Sequence, residues 1–229
     1  VRADEEGRRA KASPRPAVHD RADALDALMS LLFRHLELHL PLGRPWPTVE
    51  AAWEELYPTF ESTILQTHKC KFTQFVFFYL ASLPPTTPNS QPLHRTFTSS
   101  LLTTALDPSA SPNTRQYAAC YLGSFLARST APDPSTVREA TMAVVDYAER
   151  YVSALSPAPS SNRPGSPRSF RPSSPGTLRG HKAFYTLCQS VFYVLCFHGP
   201  DTLPRSDLVR VKNVAVGRLK PAKNVLSSV

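Results

Sequence analysis

Apolar side chains recur along most of this chain at the three- and four-residue spacing that places them on one face of an α-helix. The clearest stripe lies in RQYAACYLGSFLARST and consists of Ala118, Tyr121, Leu122, Phe125 and Leu126. Ser111-Pro112 supplies a hydroxyl cap and a proline at the first helical position, and Pro132 follows the end. The pattern therefore predicts a core helix, and the presence of Gly123 within it predicts close packing against a neighbouring helix.

The same spacing predicts six further helices, in segments separated by proline-bearing loops. They are ALDALMSLLFRHLELHL, VEAAWEELYPTFESTILQ, KFTQFVFFYLASL, LHRTFTSSLLTTAL, STVREATMAVVDYAERYVSAL and HKAFYTLCQSVFYVLCFH. A weaker helix is expected from Leu208 to Leu219, and another begins at Pro221. The last of the six segments is apolar nearly all round, which predicts a central position in the fold.

Local signals set the expected starts and breaks of these helices. Thr48 is predicted to cap the helix that follows it, and Pro58 is predicted to kink or split that helix. Thr136 and Glu139 form a T-x-x-E pattern, which predicts a capping box. The side chains expected in the core include Phe75, Leu122, Phe125, Val144 and Phe192.

The fold class follows from the absence of any sustained period of two, which predicts an all-α protein. Consecutive helices pair at intervals of about forty residues, the spacing of HEAT-type helical hairpins. We therefore predict a HEAT-like stack of antiparallel helical hairpins, an α-solenoid, present as an incomplete fragment. Because no repeated sequence signature accompanies the spacing, a globular helical bundle is the alternative.

The chain is expected to consist of four parts. Residues 1–19 are highly charged and predicted to be disordered, with no signal peptide, and residues 20–155 form the HEAT-like helical region. Residues 156–180 are an acid-free insert rich in serine, proline and arginine, which is predicted to be disordered because it cannot form a core. Residues 181–229 continue the helical region and are expected to be truncated at the C-terminus.

Charge is distributed unevenly along the chain, although the net charge is +8. From Arg150 onward there are 12 lysines and arginines against two acids, whereas residues 1–149 hold 14 basic and 16 acidic residues. A basic second half suggests a polyanionic partner, for example through non-specific contacts with DNA phosphates. A solvated, flexible basic loop explains the same asymmetry equally well.

The insert contains the candidate regulatory and contact residues. The candidates for phosphorylation are Ser156, Ser166 and Ser174, each of which precedes a proline, as proline-directed kinases require. Phosphates at these positions would offset the positive charge of the insert. The candidates for electrostatic contact are Arg163, Arg168, Arg171 and Arg179. The alternative is that the insert is only a spacer.

No catalytic or metal-binding template fits the sequence. His35 and His39 lie one helical turn apart, but HLELH is not the catalytic H-E-x-x-H arrangement. The four cysteines form no C-x-x-C pair, so we expect reduced thiols, mostly in the core of an intracellular protein. The longest apolar run is too short for a bilayer span. We expect no catalytic, cofactor-binding or metal-binding residues, no small-molecule substrate and no membrane span.

Five segments, in order along the chain, resemble the RNA polymerase I-specific transcription initiation factors (the TIF-IA-like factors). They are LDALMSLLF, THKCKFTQFVFFYLASL, RQYAACYLGSFLARS, FYTLCQSVFYVLCF and LKPAKNVLSSV. Together they extend from Leu25 to Val229, nearly the whole chain, but they resemble only the middle of a longer factor. The family's polymerase-facing serine surface lies largely outside the matching segments, so no interface residue is carried over.

The resemblance implies a HEAT-repeat fold, a nuclear and nucleolar location, regulation by phosphorylation and no catalysis. It also implies RNA polymerase I and a promoter-bound core or selectivity factor as partners. The chain would then be a scaffold segment that links these partners at ribosomal RNA genes. A basic helical-repeat module that binds nucleic acid or another protein is the alternative, favoured by the charge asymmetry alone.

Overall fold

A computed structural model describes residues 18–67, 72–155, 181–199 and 202–224. Within these ranges the chain forms helices and connecting loops and contains no β-strand, so the predicted all-α class is confirmed. The predicted insert at 156–180 lies outside the described residues. The chain divides into two compact units, Val1–Pro47 and Thr48–Val229.

The first unit contributes one long helix, α1, at Val18–His39. Its leucines differ widely in exposure: Leu36 is 1% exposed, whereas Leu28 is 64% exposed. An apolar stripe shows that a helix is amphipathic, but a side chain becomes buried only where another element packs on it. The apolar stripe therefore predicts the helix correctly but does not predict which of its leucines are buried.

The second unit contains the remaining helices. They are α2 at Val49–Thr59, a π-helical turn at Phe60–Ile64, α3 at Gln74–Ser82, α4 at Leu93–Leu106, α5 at Pro112–Arg128, α6 at Pro134–Ala154, α7 at Lys182–Phe197, α8 at Arg205–Val216 and α9 at Pro221–Asn224. Every helix expected from the spacing of apolar residues is present. The two expected near the C-terminus begin at Arg205 and Pro221.

Two of the predicted caps are confirmed. The side chain of Thr48 accepts a hydrogen bond from the backbone N–H of Ala51 at 3.0 Å, at the start of α2. The side chain of Ser111 accepts one from the N–H of Thr114 at 3.1 Å, with Pro112 at the first position of α5. Each cap satisfies a backbone donor that the helix itself leaves without a partner.

The predicted capping box of Thr136 and Glu139 is wrong. The helix begins at Pro134, and the carboxylate of Asp133 accepts the N–H of Thr136 at 2.9 Å and the hydroxyl of Thr136 at 2.9 Å. Proline at the first helical position and an aspartate before it form an equally good start signal, three residues earlier. Thr136 is therefore the residue that is capped, not the cap.

The predicted break at Pro58 is confirmed. The α-helix ends at Thr59 and continues as the π-helical turn, in which the N–H of Leu65 donates to the carbonyl of Phe60, five residues earlier, at 2.7 Å. Proline lacks the N–H that an α-helix requires at this position, so the regular ladder of hydrogen bonds is interrupted next to it.

Helices of the second unit form hairpins whose members run antiparallel. Arg115, near the start of α5, donates from Nε to the carbonyl of Ala105, near the end of α4, at 3.1 Å. Tyr151, near the end of α6, stacks on Phe184, near the start of α7, with ring centroids 5.0 Å apart. These contacts confirm the predicted stack of antiparallel hairpins. Its specific likeness to HEAT repeats remains a prediction.

Alternate helices lie side by side in two layers. One layer contains α4, α6 and α8, and the other contains α5, α7 and α9. Neighbours within a layer run parallel: Arg95 near the start of α4 meets Asp133 before α6, and Arg138 near the start of α6 meets Asp207 of α8. Each layer therefore presents a row of parallel helices to solvent on its outer side.

The core prediction is confirmed for three residues and wrong for two. Leu122, Phe125 and Val144 are buried, whereas Phe75 and Phe192 are only half-buried. In α3 the fully buried aromatic side chains are Phe77 and Phe78. Almost every residue of α3 is apolar, so the spacing of its apolar residues cannot show which side faces the core.

Candidate docking surface

The candidate residues proposed from the sequence lie outside the described part of the chain. They are Ser156, Ser166, Ser174, Arg163, Arg168, Arg171 and Arg179. Their proposed roles in phosphorylation and electrostatic contact therefore remain predictions. The described residues instead place a different candidate surface on the outer side of α5 and α7.

Parallel helices α5 and α7 approach each other closely at Gly123. A Cβ atom at this position would lie 2.7 Å from Cβ and 3.0 Å from Cα of Ser190 on α7, closer than side chains can pack. The hydroxyl of Ser190 turns back to its own helix and donates to the carbonyl of Leu187 at 2.7 Å. The prediction that Gly123 permits close packing is thus confirmed.

A second contact fixes the register of the same two helices at their C-terminal ends. Nε2 of His198, directly after α7, donates to the carbonyl of Leu126 of α5 at 2.6 Å. This carbonyl lies in the last turn of α5, where the helix leaves acceptors without intrahelical partners. These two contacts hold α5 and α7 side by side.

Six side chains, spaced three or four residues apart on each helix, define what we call the neutral face. They are Tyr117, Cys120 and Ser124 of α5 and Gln189, Tyr193 and Phe197 of α7. Phe197 is 54% exposed, and its ring meets that of Tyr193 at a centroid distance of 5.0 Å. None of the six carries a formal charge at neutral pH.

The few charged residues of α5 and α7 lie away from the centre of the neutral face. Arg128 ends α5 and its guanidinium lies over the ring of Phe75, 5.3 Å from the centroid. Lys182 begins α7 at the opposite end of the pair. Neither helix contains an aspartate or glutamate. The neutral face therefore has an uncharged centre, with Arg128 at one end of the helix pair and Lys182 at the other.

Arg115 is drawn into the fold and does not contribute to the neutral face. Besides its bond to Ala105, it donates from one terminal nitrogen to the hydroxyl of Tyr147 at 2.8 Å, and its guanidinium lies 5.8 Å from the centroid of that ring. It thereby joins α4, α5 and α6. Arg115, the first residue of RQYAACYLGSFLARST, is therefore a structural link between three helices.

The opposite layer carries charges that pair between neighbouring helices. A terminal nitrogen of Arg95 donates to Asp133 at 3.0 Å, and Nε of Arg138 donates to Asp207 at 2.6 Å. Arg210 of α8 bridges to two carboxylates of α6, Asp146 at 2.6 Å and Glu149. We call α4, α6 and α8 the ion-paired layer.

Several carboxylates of this layer are stabilised in their charged form. The hydroxyl of Ser135, the N–H and hydroxyl of Thr136 and the guanidinium of Arg95 hold the pKa of Asp133 well below its usual range. The hydrogen bond from Arg138 likewise lowers the pKa of Asp207. The ion pairs therefore persist over the neutral pH range and link neighbouring helices at the surface of the layer.

The cysteines correct an expectation from the sequence. Cys188 is buried, as predicted, and its burial raises the pKa of the thiol to about 12. Cys120 and Cys196 are exposed, so the prediction that they belong to the core is wrong. Both belong to largely apolar helices, but Cys120 lies on the outer side of the layer and Cys196 lies in the last turn of α7.

The described residues contain neither a candidate metal-binding cluster nor a candidate membrane-spanning helix. Within the described ranges, no three His, Cys, Asp or Glu side chains lie close enough together to hold a metal ion. No helix in the same ranges is both long enough and apolar enough to cross a bilayer. What the neutral face offers is a firm, uncharged and partly aromatic surface on which another protein can dock.

The neutral face is not apparent from the spacing of apolar residues. Because α7 is apolar nearly all round, a central position is predicted for it, whereas Phe197 is exposed and Gln189 and Tyr193 are partly exposed. The available signal was the lack of acids in both α5 and α7. In a charged protein, an outer helical face without charge indicates a surface that is kept for contact with a partner.

The chain is similar in sequence to a family of known proteins. A family model described as RNA polymerase I specific transcription initiation factor RRN3 matches residues 2–221. The chain is 28% identical over 174 residues to the RNA polymerase I-specific transcription initiation factor rrn3 of Schizosaccharomyces pombe, an alignment covering 76% of this chain and 25% of that protein. It is 26% identical over 228 residues to RRN3 of Mus musculus, covering 94% of this chain and 32% of that protein. The chain thus spans between a quarter and a third of the length of these relatives.

Proposed function

Since the chain belongs to the family of RNA polymerase I-specific transcription initiation factors, RRN3, we propose that it acts as a scaffold segment of such a factor. In this role it binds RNA polymerase I on the neutral face and holds it near a promoter-bound core or selectivity factor at ribosomal RNA genes. The activity is docking, without catalysis, a cofactor or a small-molecule substrate. The corresponding location is the nucleus, and within it the nucleolus.

The observation that carries the docking role is the uncharged outer surface of α5 and α7. The centres of protein interfaces are depleted of charged residues and enriched in aromatic ones, because burying an unpaired charge is costly. Phe197 and Tyr193 provide aromatic area, and Gln189 and Ser124 provide hydrogen-bonding groups beside it. This composition suits a protein surface better than a phosphate backbone.

The ion-paired layer lies on the opposite side of the stack from the neutral face and helps to keep the stack rigid. Its cross-helix bridges fix α4, α6 and α8, and the close approach at Gly123 fixes α5 against α7. A surface whose shape is set before binding loses little conformational entropy when a partner docks. The stack can therefore serve as a stiff platform with one side for structural ion pairs and the other for contact.

The insert would add regulation to this platform. Phosphorylation of Ser156, Ser166 or Ser174 would place negative charge among Arg163, Arg168, Arg171 and Arg179 and weaken any attraction of that segment to DNA. Substituting the four arginines by alanine should leave the fold intact and weaken only salt-sensitive binding. This role rests on the sequence of the insert alone.

The test of the proposal is binding to purified polymerases. The immobilised chain should retain RNA polymerase I and not RNA polymerase II, at an ionic strength of about 0.15 M. A longer protein of this family that contains the segment should restore initiation at a ribosomal promoter in an extract depleted of the factor. Equal retention of both polymerases, or of neither, would overturn the proposed function.

A salt series with duplex DNA tests the alternative, a basic module that binds nucleic acid. Non-specific binding to phosphates weakens steeply as salt is raised, because it depends on the release of counterions. We expect DNA binding to be weak and strongly salt-dependent, and polymerase I binding to persist at salt concentrations that abolish it. The reverse order would favour the nucleic-acid module.

A further inference from the structure

Helix α8 carries a second exposed surface, on its outer side in the ion-paired layer. Four residues spaced over three turns share this side, which we call the α8 stripe: Arg205, Val209, Lys212 and Val216. The two valines are 49% and 65% exposed, and both cations are exposed as well. The opposite side of the helix is in the fold, with Asp207 and Val211 buried.

The spacing within the α8 stripe is that of a helix-packing seam. The two valines are seven residues apart, and so are the two cations, which corresponds to two helical turns in each case. The four residues therefore follow the alternating four- and three-residue spacing of the seam positions in helices that pack along each other, with a cation at one seam position and a valine at the other. A polar residue at a seam position restricts which partner can pack there, and the valines supply the apolar contact.

The cations of the α8 stripe also differ from the other arginines in this layer. Arg138 and Arg210 bridge to carboxylates of neighbouring helices. In the described part of the chain, no ion pair involves Arg205 or Lys212. Both joints between helices in this layer, α4 with α6 and α6 with α8, include pairing of an arginine with a carboxylate. The α8 stripe presents the cationic half of such a joint, together with two exposed valines.

We propose that the α8 stripe docks an acidic amphipathic helix of a protein partner. This helix would carry one apolar residue and one aspartate or glutamate in each heptad, so that its apolar residues meet Val209 and Val216 while its carboxylates meet Arg205 and Lys212. The proposal is independent of the polymerase-binding role of the neutral face, because it concerns a different helix in the other layer.

A helix fits the α8 stripe better than DNA does. Phosphates would pair with Arg205 and Lys212, but they gain nothing from two exposed valines between them, and specific protein–DNA surfaces are strongly polar and positively charged. An amphipathic helix uses all four side chains, as in other helix-in-groove recognition. Lys220 and Lys223, beyond the end of α8, would add to the attraction of any acidic partner.

The test uses the chain and a labelled synthetic helix of about three heptads, in which leucine and glutamate each recur once per heptad. Fluorescence anisotropy measures binding of this probe to four proteins: the unchanged chain, R205E/K212E, V209S/V216S, and the control R150E/K182E, which reverses two exposed cations elsewhere. We expect the first double variant to weaken binding about tenfold and the second about fivefold. The control should change it less than about twofold.

Two companion probes decide between occupants. A peptide with lysine in place of glutamate should bind at least about tenfold more weakly than the probe. The proposal is overturned if V209S/V216S binds the acidic peptide normally, or if a DNA duplex binds through Arg205 and Lys212 with no contribution from the valines. It is also overturned if the chain self-associates in sedimentation and the same variants abolish that self-association, since the occupant is then a second copy.

Discussion

The two layers of the stack are built from similar helices but differ in how their charged residues are arranged. In the ion-paired layer, Arg138 and Arg210 reach across to carboxylates on the next helix. In the other layer, α5 and α7 contain no acid at all and meet through Gly123 and Ser190. One layer is held by paired charges at its surface, whereas the other is held by close backbone contact and leaves its surface neutral.

This difference shows how a helical stack can separate stability from recognition. Paired surface charges fix helix spacing but make a surface that is costly to dehydrate. A layer held by close contact needs no such charges, so water can be removed from its outer side at low cost when a partner binds. Substitutions in each layer can test this division separately.

The largest expected effect comes from Gly123→Leu. The new side chain would collide with Ser190 and force α5 and α7 apart, at a cost of about 2 kcal/mol in the free energy of unfolding. Denaturant unfolding measures the loss. Gly123→Ala should cost less, and Ser190→Gly should restore part of that loss in the double variant. An unchanged stability in Gly123→Leu would show that the helices are not held by this contact.

The next effect concerns the charged layer. Asp133→Ala removes the cap of α6 and the partner of Arg95, and should cost about 1 kcal/mol at neutral pH. Glu139→Ala is the control, because the sequence predicts Glu139 as a capping residue, whereas the structure gives it only a long, 3.9 Å approach to Arg95. A larger loss for Glu139→Ala than for Asp133→Ala would restore the sequence-based assignment.

The pKa of Asp133 adds a pH dependence with a definite sign. Its folded-state pKa is lowered, so its contribution to stability is fully present above the unfolded value of about 4 and is lost as the pH falls through the lower folded value. The stability difference between the parent chain and Asp133→Ala should therefore shrink on acidification from about pH 7 to about pH 3. A difference that grows on acidification would contradict the assignment.

Arg210→Met should have a smaller effect. The bridges to Asp146 and Glu149 are partly exposed, so their loss should cost about 0.5 to 1 kcal/mol, and added salt should reduce the difference. Lys212→Met, on the outer side of the same helix, is the control and should be close to neutral. If both variants lose the same stability, the bridges contribute nothing specific to the ion-paired layer.

The smallest change is chemical and leaves stability untouched. In a Cys70→Ser background, a thiol reagent should modify Cys120 and Cys196 in the folded chain and leave Cys188 unmodified until unfolding. Burial raises the pKa of the Cys188 thiol to about 12 and also raises the pKa of the Cys120 thiol, so Cys196 should react fastest, Cys120 more slowly and Cys188 only on unfolding. If Cys120 reacted as slowly as Cys188, the outer side of α5 would not be accessible in the way described.

Much of the fold could be predicted because its signals are local. The spacing of apolar residues located every helix, and the cap at Ser111 and the break at Pro58 depend only on neighbouring residues. The wrong cap of α6 shows the limit of such signals. Thr136 and Asp133 are both good capping residues, and only the position of Pro134 decides between them.

The candidate site could not be predicted because it depends on which helices become neighbours. Phe75 and Phe192 were expected in the core because apolar helices do not reveal which side faces inward. The neutral face exists only because Gly123 brings α5 against α7 and because Arg115 turns into the fold toward Tyr147. Both features depend on tertiary contacts, although the absence of acidic residues from α5 and α7 can be read from the sequence.

The most direct test of the central claim is to place charge on each layer in turn and measure binding to RNA polymerase I. S124E/Q189E puts two carboxylates on the neutral face, and T103E/S153E puts two on exposed sites of α4 and α6. Thr103 and Ser153 are exposed, so T103E/S153E should keep the parent stability within about 0.5 kcal/mol. Ser124 and Gln189 are only partly exposed, so the stability of S124E/Q189E is measured by denaturant unfolding and should stay within about 1 kcal/mol of the parent value. We predict that S124E/Q189E weakens binding about tenfold and that T103E/S153E changes it less than about twofold. Equal weakening by both, or weakening by T103E/S153E alone, would contradict the assignment of the neutral face as the docking surface.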